Sequence, residues 1–578
     1  MTSSVGRVVR VNGPLVEAEG LGRVAVADVV EVGEARLAAE VVAVEGGRLT
    51  AQVYEYTGGL QVGEPVAGRG RPLSARLGPG LLGGVFDGLL RPLAGRPPWL
   101  APGMLEKADS GRRWRFVPAA AAGTDVGPGT VLGVVPTASG IDHRVLVPPG
   151  QRGALEWVAD EGELGEDEPL AVVGGATATL VERWPVRTAR PAQARLGLSV
   201  PLLTGQRVVD LLFPIAKGGT AAVPGGFGTG KTVLLQQLVK WCEADVVVYV
   251  GCGERGNELA DALTELAELE DPKTGRRLIE RTVVIANTSN MPVMAREASI
   301  YTGMTVAEYF RDMGYDTVLL ADSTSRWAEA LREFSSRSGE LPAEEGYPAG
   351  LPSALAAFYE RAGRVRTLGG GEGSVTAIGA VSPPGGDMTE PVTAQTERFV
   401  RCLWSLDRNL AYARHYPAVT WQRSFSRDAP AVGAWHASAG RPNWGRDQAR
   451  AISLLAEADR LGPMVELVGL QALPASERMV LLAGRLLREA FLQQSSLSAN
   501  DATSAPAKQQ ALLELVLAVY DQTLALLERA VSATAIEEVD LSGVTRVHDE
   551  VGPADAGAVE RRREEILAVL DALAEPAR

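Results

Sequence analysis

The residues best suited to chemistry form the run Gly225–Thr232, which reads GGFGTGKT and fits the pattern G-x-x-x-x-G-K-[ST]. Glycines at this spacing let successive backbone N–H groups point at phosphate oxygens, and a helix that starts just after them adds positive potential. Lys231 would reach the β- and γ-phosphates, and the Thr232 hydroxyl would bind Mg²⁺. The run predicts a nucleoside triphosphate site more strongly than a simple glycine-rich turn. The predicted nucleotide contacts are Gly225, Gly226, Phe227, Gly228, Thr229, Gly230, Lys231, Thr232 and Val233.

A phosphate loop needs a metal holder, and Asp322 is the candidate. It follows the apolar run Thr317–Ala321. A carboxylate at the end of a buried strand can hold Mg²⁺ directly or through water. An aspartate in this place alone is more often a helix cap. The phosphate loop upstream in the same region favours the metal-binding role.

Hydrolysis also needs a group that activates water. Glu254 and Arg255 follow the apolar run Asp245–Val250, and ligand groups of open parallel sheets lie beyond the carboxyl ends of strands. Glu254 is therefore placed to polarise the attacking water, and Arg255 to contact the γ-phosphate. The alternative is a solvated Glu–Arg pair with no role in chemistry.

These side chains must be held by elements that the apolar pattern predicts. Between about 186 and 430, apolar runs such as Thr282–Ala286 and Ser374–Ile378 alternate with helical segments, which indicates an α/β fold with a mostly parallel sheet. Short strands, among them Arg23–Ala27, predict a small barrel before it. The predicted domains are a β-barrel at 1–72, a nucleotide-binding domain at 73–105 and 186–432, a β-rich insertion at 106–185 and a helical domain at 433–578.

Composition narrows the class of protein. A chain of 578 residues with 46% hydrophobic and 22% charged residues has the balance of a soluble globular protein with several domains. The net charge of −14 argues against a broad nucleic-acid surface. The three cysteines lack metal-site or disulfide spacing, which favours a reducing compartment. The sequence shows neither a signal peptide nor about 18 uninterrupted apolar residues, so we expect contact with a membrane only through partners.

Several segments beyond the phosphate loop resemble the catalytic A subunit of V-type and archaeal-type (V/A) rotary ATPases. The similarity covers nearly the whole chain and is strongest from 200 to 425. The region 106–185 is similar to the insertion that distinguishes A subunits from the F-type β subunit. The segments that carry the resemblance are Gly251–Glu258, Asn287–Pro292, Ala295–Ile300, Ala321–Ala330, Glu345–Pro348, Phe358–Gly363 and Gly379–Met388.

The resemblance implies a RecA-like P-loop core and the hydrolysis or synthesis of Mg-ATP, with ATP and ADP as substrate and product. It implies an A₃B₃ ring in which a B-type subunit supplies an arginine to the catalytic site, as an arginine finger does. A central rotor stalk and a peripheral stalk would link this ring to a separate proton- or sodium-transporting ring in the membrane. The chain would then be cytoplasmic and peripheral to the membrane. Tyr416 matches the aromatic position that packs on adenine, and Phe491–Gln494 matches a second adenine-side segment, with Gln494 as the candidate contact.

Three positions depart from the family pattern. Gly226 stands where a proline is usual, which loosens the loop but keeps its glycines and lysine. Thr229 stands where eukaryotic members have a cysteine linked to redox inhibition, so that switch should be absent. Leu497 stands where an aromatic residue is common, which predicts weaker base selectivity.

Other classes of protein remain open on sequence alone. A RecA-type hexameric RNA or DNA motor also joins a small β domain to an ATPase core, but the acidic balance and the insertion count against it. A homohexameric secretion ATPase is a nearer relative, which the insertion disfavours. A non-catalytic nucleotide-binding ring component is disfavoured by Lys231, Thr232, Glu254 and Asp322 together.

Overall fold

A computed structural model of the chain describes residues 5–95, 111–137, 139–271 and 274–574. Residues 96–105 of the segment 73–105 that was assigned to the nucleotide-binding domain, and the first residues of the predicted insertion, 106–110, lie outside the described residues. Two compact units make up the chain. The first unit comprises Met1–Gly197, Ala244–Pro383 and Asp387–Phe399, and the second comprises Leu198–Glu243, Pro384–Gly386 and Val400–Arg578.

The first unit begins with a closed six-stranded barrel, in the order β1-β2-β5-β4-β3-β6. Alternating residues of its strands turn inward, and Val8, Val16, Val30 and Val66 are among those that fill the interior. Closure leaves the barrel without a free sheet edge. The strands are β1 Gly6–Asn12, β2 Leu15–Glu19, β3 Asp28–Val32, β4 Leu37–Glu45, β5 Arg48–Val53 and β6 Pro65–Pro72.

One strand predicted for the barrel is wrong. Arg23–Ala27 is not a strand, and β2 at Leu15–Glu19 takes its place in the sheet. The Asp28 carboxylate accepts a hydrogen bond from the Ala25 N–H at 2.9 Å, and Ala27 has a φ of 73°, which ends extended backbone. Val26 is 61% exposed, and Val24 packs partly buried against the barrel core, but neither valine belongs to a strand.

The insertion that follows forms two four-stranded sheets, β10-β13-β15-β16 and β12-β11-β9-β14. Phe116, Leu132, Leu155 and Leu170 lie in the core between them and are fully buried. The strands from the barrel to the core are β7 Ser74–Leu77, β8 Val85–Phe86, β9 Arg113–Pro118, β10 Asp125–Val126, β11 Val131–Val135, β12 His143–Leu146, β13 Gly153–Val158, β14 Gly162–Gly165, β15 Ala171–Val173, β16 Ala176–Ala178, β17 Glu182–Pro185 and β18 Ala194–Arg195.

The core elements alternate between strand and helix, as the sequence predicts. Their burial is nearly continuous along the strands, which is typical of a sheet covered on both faces. The elements are β19 Thr220–Pro224, α1 Lys231–Trp241, β20 Val246–Glu254, α2 Gly256–Glu268, β21 Thr282–Thr288, α3 Val293–Asp312, β22 Asp316–Asp322, α4 Thr324–Ser338, α5 Leu351–Tyr359, β23 Gly363–Arg366, β24 Glu372–Val381, α6 Pro391–Phe399, β25 Cys402–Leu403, α7 Arg408–Tyr412 and β26 Phe425–Ser426.

Within the first unit, the parallel strands run in the order β24-β22-β20-β21-β8, and β23 joins β24 antiparallel. This arrangement confirms the predicted mostly parallel α/β core. Helix α3 is buried along almost its whole length beneath these strands. In the second unit, β19 pairs with β25 in parallel, and β25 pairs with β26 antiparallel.

The second unit ends in a helical domain, as predicted. Helix α11 is long and apolar enough to cross a membrane by length and composition alone, but 56% of that window is buried inside the protein, which is typical of a core helix. The buried Lys508, Gln509 and Gln510 lie in its first turns. The helices are α8 Ala429–Ser438, α9 Trp444–Val468, α10 Ala475–Leu486, α11 Pro506–Glu528, α12 Ala533–Glu537, α13 Ser542–Glu550 and α14 Ala556–Ala572.

Candidate active site

The phosphate loop lies between buried strand β19 and helix α1, in the second unit. The Thr229 hydroxyl donates a hydrogen bond to the Gly226 carbonyl at 2.8 Å, which closes the loop on itself. Helix α1 begins at Lys231, and Thr232 in its first turn is exposed. N–H groups that point outward at a helix start, together with the helix dipole, favour an anion, so the loop has the properties of an anion site.

The glycines of the loop have different steric needs. A Cβ on Gly225 would lie 2.7 Å from Thr229 Oγ1 and 2.9 Å from Leu406 Cβ, so the backbone is packed tightly there. Gly230 has a φ of 81°, and a Cβ on it would lie 3.1 Å from the Tyr416 ring. Gly228 also has a positive φ, of 78°. A Cβ added to Gly226 would have its nearest neighbours at 3.8 Å. Three glycines are thus required by packing or conformation, and Gly226 has room for a side chain.

Tyr416 lies beside the end of this loop, and a backbone hydrogen bond joins it to Gln494. Tyr416 is 41% exposed, and its carbonyl accepts a hydrogen bond from the Gln494 N–H at 2.8 Å. The Gln494 side chain is fully engaged: its Oε1 accepts from the Arg207 N–H at 2.9 Å, and its Nε2 donates to the carbonyls of Gly205 and Asp501. Gln494 therefore holds the backbone near Tyr416, and its side-chain amide already has hydrogen-bond partners other than a base.

Large apolar side chains of the loop and of the first turn of α1 are exposed, since Phe227 is 91% exposed and Val233 is 48% exposed. Leu497, in the segment that follows Gln494, is 96% exposed. Exposed apolar groups beside an anion site suit a ligand that carries a flat ring next to its phosphates. Because Leu497 is almost wholly exposed, its side chain does not form a fixed surface against which a base could pack.

Glu254 ends strand β20 in the first unit, and its backbone is held tightly. Gly253 before it has a φ of 73°, and a Cβ there would lie 2.7 Å from Arg326 Cβ. The Ser289 N–H donates to the Glu254 carbonyl at 3.0 Å. The side chain of Glu254 is half-buried. A half-buried carboxylate on a well-held backbone is compatible with the predicted role of Glu254 as a general base.

Arg255 begins helix α2, and its side chain is 73% exposed. Its Nη1 lies 3.7 Å from Glu258 Oε1. An exposed pair at this distance contributes little to stability. In this structure Arg255 therefore has the contact expected of a surface ion pair, and its assignment to the γ-phosphate stays a prediction.

Asp322 ends strand β22, which pairs with β20 so that Asp322 lies opposite Gly251. It is 4% exposed, and the Tyr249 hydroxyl lies 3.4 Å from its Oδ2. Burial, followed by the charges of Asp322 and Glu254, raises the pKa of Tyr249 well above its usual value, so the phenol stays a donor. Glu254 and Asp322 thus lie at the carboxyl ends of neighbouring strands, as the sequence predicts.

The structure also shows residues to which the sequence assigned no role. Arg296 is 9% exposed, and its Nη2 donates to the Ser289 carbonyl at 2.8 Å, so it supports the loop that holds Glu254. Its motif, Ala295–Ile300, was recognised, but not its contact. Arg207 and Asp501 were missed entirely, because they are 294 residues apart and form no local pattern.

All three cysteines are buried, at Cys242, Cys252 and Cys402. Burial raises the pKa of the Cys252 thiol to about 12, which leaves it an inert thiol at neutral pH. With threonine at 229, the phosphate loop itself contains no thiol.

Comparison with known families accounts for most of the chain. Family profiles match the ATP synthase alpha/beta family β-barrel domain at 8–70, the barrel-sandwich domain at 105–187, the nucleotide-binding domain at 205–426 and the C-terminal domain of V and A type ATP synthase at 433–536. A solved structure of the assembled ATPase EscN from the type III secretion system of enteropathogenic E. coli shares the fold, with a TM-score of 0.64 and 23% identity over 88% of this chain and 99% of that one.

Full-length relatives are much more similar. The V-type ATP synthase alpha chain of Anaeromyxobacter dehalogenans is 51% identical over 98% of this chain and 100% of its own length. The corresponding A subunit of the A-type ATP synthase of Saccharolobus islandicus is 50% identical over 92% of both chains. Together with the V/A-specific C-terminal domain, these similarities show that the chain belongs to the family of V/A-type ATP synthase A (alpha) subunits.

Proposed function

We propose that this chain is the catalytic component of a rotary V/A-type ATPase, which hydrolyses or synthesises Mg-ATP and couples this reaction to proton or sodium transport. The phosphate loop with Tyr416 beside Gly230 is the observation that carries the proposal. The carboxylates of Glu254 and Asp322 at neighbouring strand ends support it, because a triphosphate site needs both a water-activating group and a metal holder.

In this proposal each residue has a separate task. Lys231 and the start of α1 bind the phosphates, Glu254 polarises the attacking water, and Arg255 contacts the γ-phosphate in the nucleotide-bound state. Tyr416 packs on the adenine, and Gln494 acts by holding the Tyr416 backbone.

Mg²⁺ is the expected metal cofactor. The exposed hydroxyl of Thr232 and the buried carboxylate of Asp322 are oxygen donors, which Mg²⁺ prefers, and few protein ligands are usual where phosphates and water complete the shell. When bound, the ion neutralises charge that develops on the phosphates. The residues present fit this group, with Asp322 acting directly or through water.

The proposed partners are B-type subunits in an A₃B₃ ring, one of which supplies an arginine in trans. A central rotor stalk, a peripheral stalk and a membrane ring complete the proposed complex, so the chain would be cytoplasmic and peripheral. An exposed apolar tip at the end of α9, formed by Met464, Leu467, Val468 and Leu470, fits contact with a moving partner. We propose no nucleic-acid partner.

Expression with a B-type subunit tests the proposal. We expect Mg-ATP hydrolysis that requires both proteins, and about a 10²–10⁴-fold lower kcat for Glu254→Gln in the ring, with Mg-ATP still bound. Glu268→Gln, at an exposed site in the last turn of α2, is the matched control and should keep the wild-type rate.

Other results would point to another class of ATPase. Full turnover by the Glu254→Gln ring would contradict a catalytic role. Hydrolysis by the chain alone as a homohexamer would favour a secretion ATPase, and stimulation by RNA would favour a nucleic-acid motor. The full-length similarity to ATP synthase subunits favours the rotary function over both.

A further inference from the structure

A buried ion pair lies behind the segment Gln494–Asp501, which we call the base-side segment. Arg207 Nη1 lies 2.5 Å from Asp501 Oδ1, and both side chains are 0% exposed. Burying two charges is costly unless every polar atom around them is paired. A pair in such a place is therefore expected to have partners for its other polar atoms.

Asp501 uses both of its oxygens. Besides the guanidinium of Arg207, it accepts a hydrogen bond from the Ser495 N–H at 2.6 Å, and His548 Nδ1 lies 3.0 Å from its Oδ2. The carboxylate thus joins the two ends of the base-side segment, since Ser495 lies near its start and Asp501 ends it. Charge-assisted bonds of this kind are the stronger hydrogen bonds in proteins.

Arg207 holds the chain that leads into the segment. Its Nε donates to the Phe491 carbonyl at 2.6 Å, and its Nη2 donates to the Gln493 carbonyl at 2.5 Å. Its backbone N–H donates to Gln494 Oε1. A planar guanidinium fixes several acceptors at once in a way that a lysine ammonium does not.

Lys508 fixes the far end of the segment. Its ammonium donates to the carbonyls of Asn500 at 2.9 Å, His548 at 2.7 Å and Val551 at 2.7 Å. Its side chain is fully buried. The base-side segment is therefore attached both to helix α11 and to the end of α13.

Gln494 connects the base-side segment to Tyr416 beside the phosphate loop. Gln494 N–H donates to the Tyr416 carbonyl, and the Tyr416 ring lies beside Gly230. We propose that Arg207 and Asp501 are positioning residues that set the affinity for the nucleoside part of the nucleotide by fixing the backbones of Gln494 and Tyr416. The inference rests on the proposed function, because it takes Tyr416 as the base contact.

The test compares a ligand that has a base with one that has none. In the ring assembled with B-type subunits, we measure KM for Mg-ATP and the inhibition constant of Mg-tripolyphosphate, which lacks a nucleoside. For Asp501→Asn we expect about a tenfold higher KM for ATP, equal to about 1.4 kcal/mol of binding free energy, and little change for tripolyphosphate. The kcat should change little, because no phosphate contact is altered.

A second variant guards against misfolding. Arg207→Lys keeps a positive charge beside Asp501 but cannot hold the Phe491 and Gln493 carbonyls at the same time as the carboxylate. It should fold and still show the selective loss of ATP affinity. The matched control is Glu537→Gln, which removes the ion pair between Arg478 and Glu537 elsewhere in the helical domain and should leave both constants unchanged.

Two results would overturn the inference, and a third would refute the proposed function. An unchanged KM for ATP in both variants would show that the ion pair does not act on the nucleoside. Equal weakening of ATP and tripolyphosphate would show a general structural role. A wild-type ring that binds neither ligand would instead refute the proposed function, so the two failures are distinguishable.

Discussion

At the scale of single residues, the phosphate loop is both a binding element and a strained turn. Gly230 needs a left-handed conformation beside an aromatic ring, whereas Gly226 has open space around it. The chemistry therefore depends on particular glycines, not on glycine content as such.

Alanine substitutions should separate these two positions. We expect Gly226→Ala to keep kcat and KM and to stabilise the chain by about 0.4–1 kcal/mol, because alanine restricts the unfolded chain. Gly230→Ala should cost about 1–2 kcal/mol, because its φ is unfavourable for a Cβ, and should raise KM by displacing Tyr416. Thermal unfolding and steady-state ATPase rates measure both effects. Equal behaviour of the two variants would contradict this account.

Leu497 offers a test of base recognition. The side chain is almost wholly exposed, so a larger one can be accommodated there. We expect Leu497→Phe to lower the Kd for ATP and to increase the preference for ATP over GTP, because an aromatic ring stacks on a base by about 1–3 kcal/mol. Nucleotide titration with both ligands measures this. Unchanged affinity and preference would show that position 497 does not reach the base.

At the scale of elements, the sequence predicted what local patterns encode. Apolar strands ending at Glu254 and Asp322 were identified because buried parallel strands read as continuous apolar runs. Arg23–Ala27 was misassigned because two valines at alternate positions give the pattern of a strand, whether or not the segment joins a sheet. Pairing of Arg207 with Asp501 could not be predicted, since nothing local marks two residues brought together by the tertiary fold.

The insertion contacts helix α3 through His143, a residue whose charge depends on pH. His143 Nε2 lies 2.8 Å from the Tyr309 hydroxyl, and burial lowers the pKa of His143 to about 3. Its ordinary pKa is 6.5, so the neutral form stabilises the folded protein above that pH, and the contribution is lost progressively as pH falls from 6.5 towards 3. Acid should therefore loosen this contact first.

Hydrogen exchange can detect that loosening. We expect peptides covering β12 and the end of α3 to lose protection between pH 7 and pH 5 in the wild type. His143→Asn cannot gain the charge, so its protection should be lower at pH 7 but independent of pH over this range. The same pH dependence in both proteins would assign it to another group.

At the scale of the whole molecule, the chain joins a barrel, an insertion, an α/β core and a helical domain. The exposed apolar tip of α9 lies far along the sequence from the phosphate loop, Glu254 and Asp322. Much of the apolar surface of the tip is not buried within this chain, since Leu467 is 85% exposed and Val468 is 59% exposed. Exposed apolar surface of this kind is typical of a site of contact with a partner.

Polar substitution of the tip should uncouple hydrolysis from transport. We expect Leu467→Ser with Val468→Ser to keep the unfolding temperature and ATP hydrolysis, while ions moved per ATP fall in the membrane-bound complex. Burial of two such side chains supplies about 1.5–3 kcal/mol each, enough to weaken a moving contact. Val569→Ser, at an exposed site on α14, is the control. An unchanged transport ratio would place the rotor contact elsewhere.

The burial of all three cysteines has a practical consequence. A maleimide dye finds no accessible thiol on this native chain, so one cysteine introduced on its surface becomes the one reactive thiol of the chain. No cysteine-free variant of this chain has to be built first. A fluorophore or gold bead could thus be fixed at a chosen point of the ring, and the motion of a single working complex followed under the microscope.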